Sequence, residues 1–166
     1  IFLNFKIPDG RGDISILNIN KKKIRLIDES YNANPLSVKN AIKNLSFIKK
    51  ENFKKYLILG DMLELGSKSK KYHEDLSKVI NNSDIDKVFV KGKKTIFTYK
   101  HLNKIKRGNI LQNTEDIDLS LKKIISNSDY LMIKGSNATG LNEIAHKLKQ
   151  GNLNVIWFFA KLCWVI

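Results

Sequence analysis

From about residue 24 to residue 150, short apolar runs alternate with stretches whose apolar residues recur every three or four positions. That rhythm confines the chain to an α/β fold with a mostly parallel sheet flanked by helices. The runs at 24–27, 56–59, 88–90, about 110–111 and 130–133 read as strands, and 14–19 as a further strand before a polar turn at 20–23. Asn34 is placed to cap a helix with Pro35 at its first position, where a missing N–H costs nothing; Val38, Ala41, Ile42 and Leu45 supply the apolar face. Further helices are expected at about 69–80 (Tyr72, Leu76, Val79, Ile80), at 93–102, from Thr114 (Ile117, Leu121, Ile124, Ile125), and around Leu141, Ile144, Ala145 and Leu148, stopped by Gly151.

Composition narrows the function classes. The chain has one cysteine in 166 residues, which excludes a disulfide framework and a cysteine-based zinc site and fits a reducing compartment. The formal net charge of +14 raises nucleic-acid binding, but the basic residues are almost all lysine, with arginine only at 11, 25 and 107. Base and phosphate readers favour the arginine fork. Together with the abundance of Ile and Asn, the lysines read as solvated surface from an A/T-rich coding bias, so no specific nucleic-acid partner is expected. No basic region followed by a long apolar one opens the chain, which begins at Ile and so reads as a piece of a longer protein. The apolar tail at 155–166 is too short for a membrane span of about 20 residues. A strand added to the sheet, an interfacial anchor and foreign sequence all remain open for it.

The polar turns after three of the strands carry the chemistry. Asp28-Glu29-Ser30-Tyr31-Asn32-Ala33-Asn34-Pro35 puts acidic, amide and hydroxyl groups at the carboxyl end of a strand, where open α/β sheets bind ligands. Asp28 there can accept hydrogen bonds from ribose hydroxyls, while Asn32 and Asn34 suit amide edges or phosphate oxygens. A plain helix cap at Asn34 and a turn acid at Asp28 satisfy the same spacing. Gly60-Asp61-Met62-Leu63-Glu64-Leu65-Gly66 follows the next strong strand; Asp61 and Glu64 can meet a substrate ammonium, or Asp61 can pair with Lys134. Lys134-Gly135-Ser136-Asn137 opens the last helix as a candidate anion site. Gly135 and Gly140 are followed by Leu141-Asn142 rather than Lys-Ser/Thr, so this is not a P-loop. His73 and His101 lack partners at metal-ligand spacing, His146 has Glu143 three residues before it on a helix, and each reads as a surface or core histidine; no Ser/His/Asp or Cys/His arrangement is readable.

Taken in order, Asp28 to Pro35, Leu59 to Gly66 and Lys134 to Ser136 resemble the carboxy-terminal domain of the Mur ligases over about residues 8–150. The Tyr-Asn-Ala-Asn-Pro run resembles the branch that joins D-alanyl-D-alanine to UDP-N-acetylmuramoyl-tripeptide. The resemblance implies a Rossmann-like domain of an ATP-dependent amide-forming ligase of peptidoglycan precursor synthesis in the bacterial cytoplasm. In that family an acyl phosphate forms between a UDP-sugar domain, a P-loop domain and this one, and the third domain closes over ATP and brings in the dipeptide. On the resemblance, residues 1–22 are the end of the central ATPase domain and a linker, 23–151 the carboxy-terminal domain, and 152–166 a tail of open origin.

Position by position, the resemblance implies ATP-side roles for Arg11, Asp28, Asn32 and Asn34, with Arg11 reaching phosphate and Asp28 the ribose. It implies dipeptide-side roles for Asp61, Glu64, Lys134 and Ser136. It puts no metal ligand in this chain, with Mg2+ held mainly by the absent central domain, and no confident catalytic residue. Two positions depart from the family pattern: Glu29 stands where a second Asp is usual, and Asn137 where an Arg is usual. Without the P-loop the chain alone is expected to be inactive. A free-standing nucleotide-binding module and a basic nucleic-acid binder are the competing readings.

Overall fold

Asn20 and Lys21 both take positive φ, 49° and 63°, and this turn joins β1 (Asp13–Ile19) to β2 (Lys22–Glu29) with Ile19 opposite Lys22. Two left-handed residues match the natural twist of an antiparallel pair. A domain boundary after residue 22, expected from the sequence, falls inside this hairpin, so β1 is the antiparallel edge of the sheet that follows. The computed structural model describes residues 9–49 and 51–151, and the expectations for 1–8 and for the apolar tail lie outside them.

After β2 the chain alternates: α1 (Pro35–Phe47), β3 (Lys55–Gly60), α2 (Ser69–Asn81), β4 (Lys87–Lys91), α3 (Thr95–Lys100), β5 (Arg107–Ile110), α4 (Thr114–Ile124), β6 (Tyr130–Lys134) and α5 (Leu141–Lys149). The strands form one sheet in the order β1-β2-β6-β3-β4-β5, parallel from β2 onward. The last of the described strands, β6, therefore lies between β2 and β3. The starts of α1 and α4 follow local chemistry. Asn34 accepts from Ser37 N at 2.8 Å while Ser37 Oγ accepts from Asn34 N, and Asn113 and Asp116 form the same reciprocal cap on α4.

Alternation along each strand feeds two cores. Ile24, Leu26, Tyr56, Ile58, Phe89, Leu131 and Ile133 face α4 and α5, while Ile27, Leu57, Leu59, Val88, Val90 and Met132 face α1, α2 and α3. Both faces of the central strands are thus covered, which explains why β3 is buried at every position. Among the described residues no helix is long and apolar enough to cross a membrane. The two-layered cover leaves the carboxyl ends of β2, β3, β4 and β6 along one rim, and the polar turns of the sequence gather there.

Candidate functional site

Asp28, one residue before the end of β2, is buried, 3% exposed, and both of its carboxylate oxygens are bonded to the protein. Oδ1 accepts from Ser30 N at 3.1 Å and from Ser30 Oγ at 2.6 Å, and Oδ2 accepts from Lys149 Nζ at 2.7 Å. Lys149 also reaches Asp13 Oδ2 at 2.6 Å, so one ammonium at the end of α5 closes the β1–β2 hairpin. Burial pulls this ammonium down, but its bonds to Asp13 and Asp28 outweigh that and hold it above the ordinary lysine value. The segment before β1 lies over the same turn: Gly12 N donates to Asp28 O at 2.7 Å, Tyr31 N to Gly10 O at 3.1 Å, and the Arg11 guanidinium sits 4.4 Å from the centre of the Tyr31 ring.

Two clefts share Gly10 and Tyr31 as a common wall. One, about 320 Å³, is lined by Asp28, Ser30, Asn137, Asn142, His146 and Lys149 among others. The other, about 220 Å³, is lined by Arg11, Glu29, Asn32, Asn34, Ser37 and Lys134. The first offers a carboxylate with an ammonium, the second a guanidinium with two exposed amide side chains.

The β3 turn is pinned from several directions. The Asp61 carboxylate accepts from the amides of Lys94 (3.0 Å) and Thr95 (2.8 Å) at the start of α3. It does not pair with Lys134, one of the alternatives the sequence left open, because these α3 amides take it. Gly92, at φ 133°, makes room for this: a Cβ there would lie 2.3 Å from Asp61 Oδ1. Met62 N donates to His73 Nε2 at 3.0 Å, Leu63 N to Ser136 Oγ at 3.1 Å, and Ser136 N to Asp61 O at 3.1 Å. Glu64 is exposed, at φ 62°.

Lys134, 2% exposed, turns inward across the rim. Its Nζ donates to Asn32 O and, at 3.3 Å, to Glu29 O, and lies 3.5 Å from Glu29 Oε2. Burial pulls its ammonium below the ordinary lysine value, and Glu29 opposes this. Ser136 Oγ faces Ala33 O at 3.4 Å as well as Leu63 N, so one hydroxyl touches both of the other motif turns. Gly60 and Gly135 let β3 and β6 end in contact: a Cβ on Gly135 would lie 3.0 Å from Gly60 Cα and 2.8 Å from Leu141 Cδ1.

The model of the Mur ligase glutamate ligase domain matches residues 16–137, which span all three turns and five of the six strands in full. The chain belongs to the Mur ligase family. Its relatives include the UDP-N-acetylmuramoyl-tripeptide–D-alanyl-D-alanine ligases of Rickettsia prowazekii, 35% identical over 139 residues (83% of this chain, 29% of the relative), and of Bacillus subtilis, 34% identical over 134 residues (79% and 29%). The chain thus spans under a third of the length of either. Among solved structures, MurF ligase from Thermotoga maritima in complex with ADP superposes with a TM-score of 0.69 at 25% identity, covering 90% of this chain and 32% of that one. A MurF of Acinetobacter baumannii gives the same TM-score and identity.

Within this Mur ligase domain the eight candidate residues all lie on one rim of the sheet, but they do not form a single pocket. Asp28 opens on one cleft and Arg11, Asn32 and Asn34 on the other. Asp61, Lys134 and Ser136 are buried and hold backbone, leaving Glu64 as the exposed member of its group. Sequence reasoning missed Lys149, whose acidic partners are 136 and 121 residues away in the chain, and it took His73 for an ordinary histidine although Ser69 stands one helical turn before it.

Proposed function

We propose that the chain is the carboxy-terminal domain of an ATP-dependent ligase that adds D-alanyl-D-alanine to UDP-N-acetylmuramoyl-tripeptide, in peptidoglycan precursor synthesis in the bacterial cytoplasm. The observation that carries this is Ser136, whose hydroxyl meets both the 28–35 turn and the 60–66 turn, so that the three motif turns make one rim. Relatives that bear this activity at 34–35% identity support the choice of substrates. The rim is half of a cleft, its other wall being the amino-terminal and central domains of the same enzyme.

ATP would supply the phosphoryl group that activates the tripeptide carboxylate for attack by the dipeptide amine, with phosphate leaving. The donor set suits such a nucleotide. Arg11, held over the Tyr31 ring, presents a guanidinium to phosphate oxygens, and the amides of Asn32 and Asn34 line the same cleft. A carboxylate offers about four lone-pair sites, and Asp28 uses three on Ser30 and Lys149, which leaves it able to accept one ribose hydroxyl. Glu64 presents a carboxylate to the dipeptide ammonium, while Asp61, Lys134 and Ser136 fix the backbone beside it. Mg2+ would draw its ligands mainly from the triphosphate and the central domain. This domain contributes positioning and exclusion of water from a hydrolysable acyl phosphate.

The test is steady-state kinetics of the full-length ligase that carries this domain. Asp28→Ala and Asn32→Ala are expected to raise KM for ATP about tenfold or more, the loss of roughly one charge-assisted hydrogen bond. Indifference to both substitutions overturns the nucleotide assignment. Tight ATP binding by the 166-residue chain alone would favour a free-standing nucleotide-binding module instead.

A further inference from the structure

His73 lies wholly buried on α2, away from either cleft, and both of its ring nitrogens are committed. Nδ1 is 2.8 Å from Ser69 O, which can only accept, so Nδ1 carries the proton. Nε2 is 3.0 Å from Met62 N, which can only donate, so Nε2 is a bare lone pair. The imidazole is therefore neutral and in one tautomer. Its own carbonyl accepts from Thr98 Oγ1 at 2.6 Å, which ties this turn of α2 to α3.

Met62 is the middle residue of the only stretch that joins Asp61, capping α3, to Leu63, held by Ser136. A second, independent set of contacts thus converges on the same turn, and the exposed Glu64 follows directly. Without the His73 acceptor, the Met62 amide is left buried and unpaired, and the turn must shift to find another partner. The charged groups facing the ring from neighbouring elements are Asp61, after β3, and Lys94, at the start of α3, and they act in opposite directions. Burial outweighs both and keeps the imidazole below the ordinary histidine value, consistent with a lone pair that is always available at neutral pH.

We propose that His73 is the positioning residue of the amine-side wall: as a neutral imidazole protonated on Nδ1, it fixes the Asp61–Leu65 turn and so sets where Glu64 meets the incoming dipeptide. The latch itself stands on the contacts above, and its kinetic consequence rests on the ligase reading. Protonating Nε2 turns the acceptor into a donor facing the Met62 N–H, so acid unlatches the turn.

The experiment has two arms. In the first, long-range proton–nitrogen NMR of the 166-residue chain reads the ring of His73. A protonated Nδ1 and a bare Nε2 at neutral pH are expected, with the Met62 amide shifting on the same titration curve as His73 in mild acid and not with His101 or His146. An Nε2–H tautomer, or a Met62 amide indifferent to His73, overturns the latch. In the second arm, His73→Ala in the full-length ligase is expected to raise KM for D-alanyl-D-alanine roughly three- to tenfold, the worth of one hydrogen bond, and to leave KM for ATP within about twofold. His73→Gln, whose side-chain oxygen can accept from Met62, is expected to recover most of the loss. Equal rises in both KM values, or no rescue by Gln, reduce His73 to a core residue and overturn the positioning role. If the unmodified ligase makes no dipeptide-dependent product, the ligase reading and the amine-side role fall together, while the NMR arm still decides the latch.

Discussion

Lys149 Nζ is bonded to Asp28 Oδ2 at 2.7 Å, so the last residue of α5 holds the acid at the end of β2. Lys149→Met would leave Asp28 and Asp13 side by side across the hairpin with no cation between them. A loss of about 1–3 kcal/mol is expected by urea unfolding of the 166-residue chain, with Lys149→Arg retaining most of the stability. Because the folded ammonium titrates above the ordinary value, the clamp's contribution is whole below the unfolded lysine value of 10.5 and is lost only as pH rises through the higher folded one. The difference between wild type and Lys149→Met should thus be flat from neutral pH to about 10. A difference that fades already at pH 8 contradicts the clamp.

Lys134 carries the opposite sign. Burial lowers its folded value, so between that value and 10.5 the unfolded chain binds the proton more tightly, and stability should rise with pH across that window. Lys134→Met abolishes this rise and strips two carbonyls, those of Glu29 and Asn32, of their donor. Hydrogen exchange should then quicken in the 30–34 turn more than in β3. Unchanged exchange there would show that the turn holds itself.

Asn34 has a certain role as a helix cap and a proposed one toward the nucleotide, and the two separate by substitution. Asn34→Ala is expected to cost about 1 kcal/mol in unfolding experiments, whereas Asn34→Ser keeps a capping oxygen and most of the stability. In the full-length ligase Asn34→Ser should still raise KM for ATP. If it does not, Asn34 is a cap and nothing more.

Gly135→Ala places a methyl 2.8 Å from Leu141 Cδ1 and 3.0 Å from Gly60 Cα. Relief demands that the ends of β3 and β6 part, at an expected cost of about 1–3 kcal/mol. A thermal melt within 1 °C of wild type, roughly the scatter of such a measurement for a domain this size, would mean that the rim is looser than its contacts suggest.

The order of elements was legible because it is written along the chain. Apolar period, the Asn34-Pro35 start and the Gly151 stop need only neighbours within a few residues. The lateral order of strands was not, since no periodicity says that β6 enters between β2 and β3. The site divided on the same line. Motif spacing brought Asp28, Asp61 and Ser136 to one rim, but both partners of the His73 ring and, Glu29 Oε2 aside, those of Lys134 are main-chain atoms, which every residue possesses and no sequence pattern marks. For Asp61 the sequence offered a charge pair among its alternatives, and the amides of α3 took the acid instead.

The insertion of β6 between β2 and β3 has a consequence for how the protein is made. Until residues 130–134 leave the ribosome, β2 and β3 have no common neighbour, and the β1–β2 hairpin and the β3–β4–β5 group are two half-sheets with bare edges. The domain cannot mature from its amino terminus onward; it must wait for nearly its whole length and then close in one event of long-range pairing. Nascent chains halted short of β6 would expose two apolar, hydrogen-bonding edges, and are natural clients for chaperones and proteases.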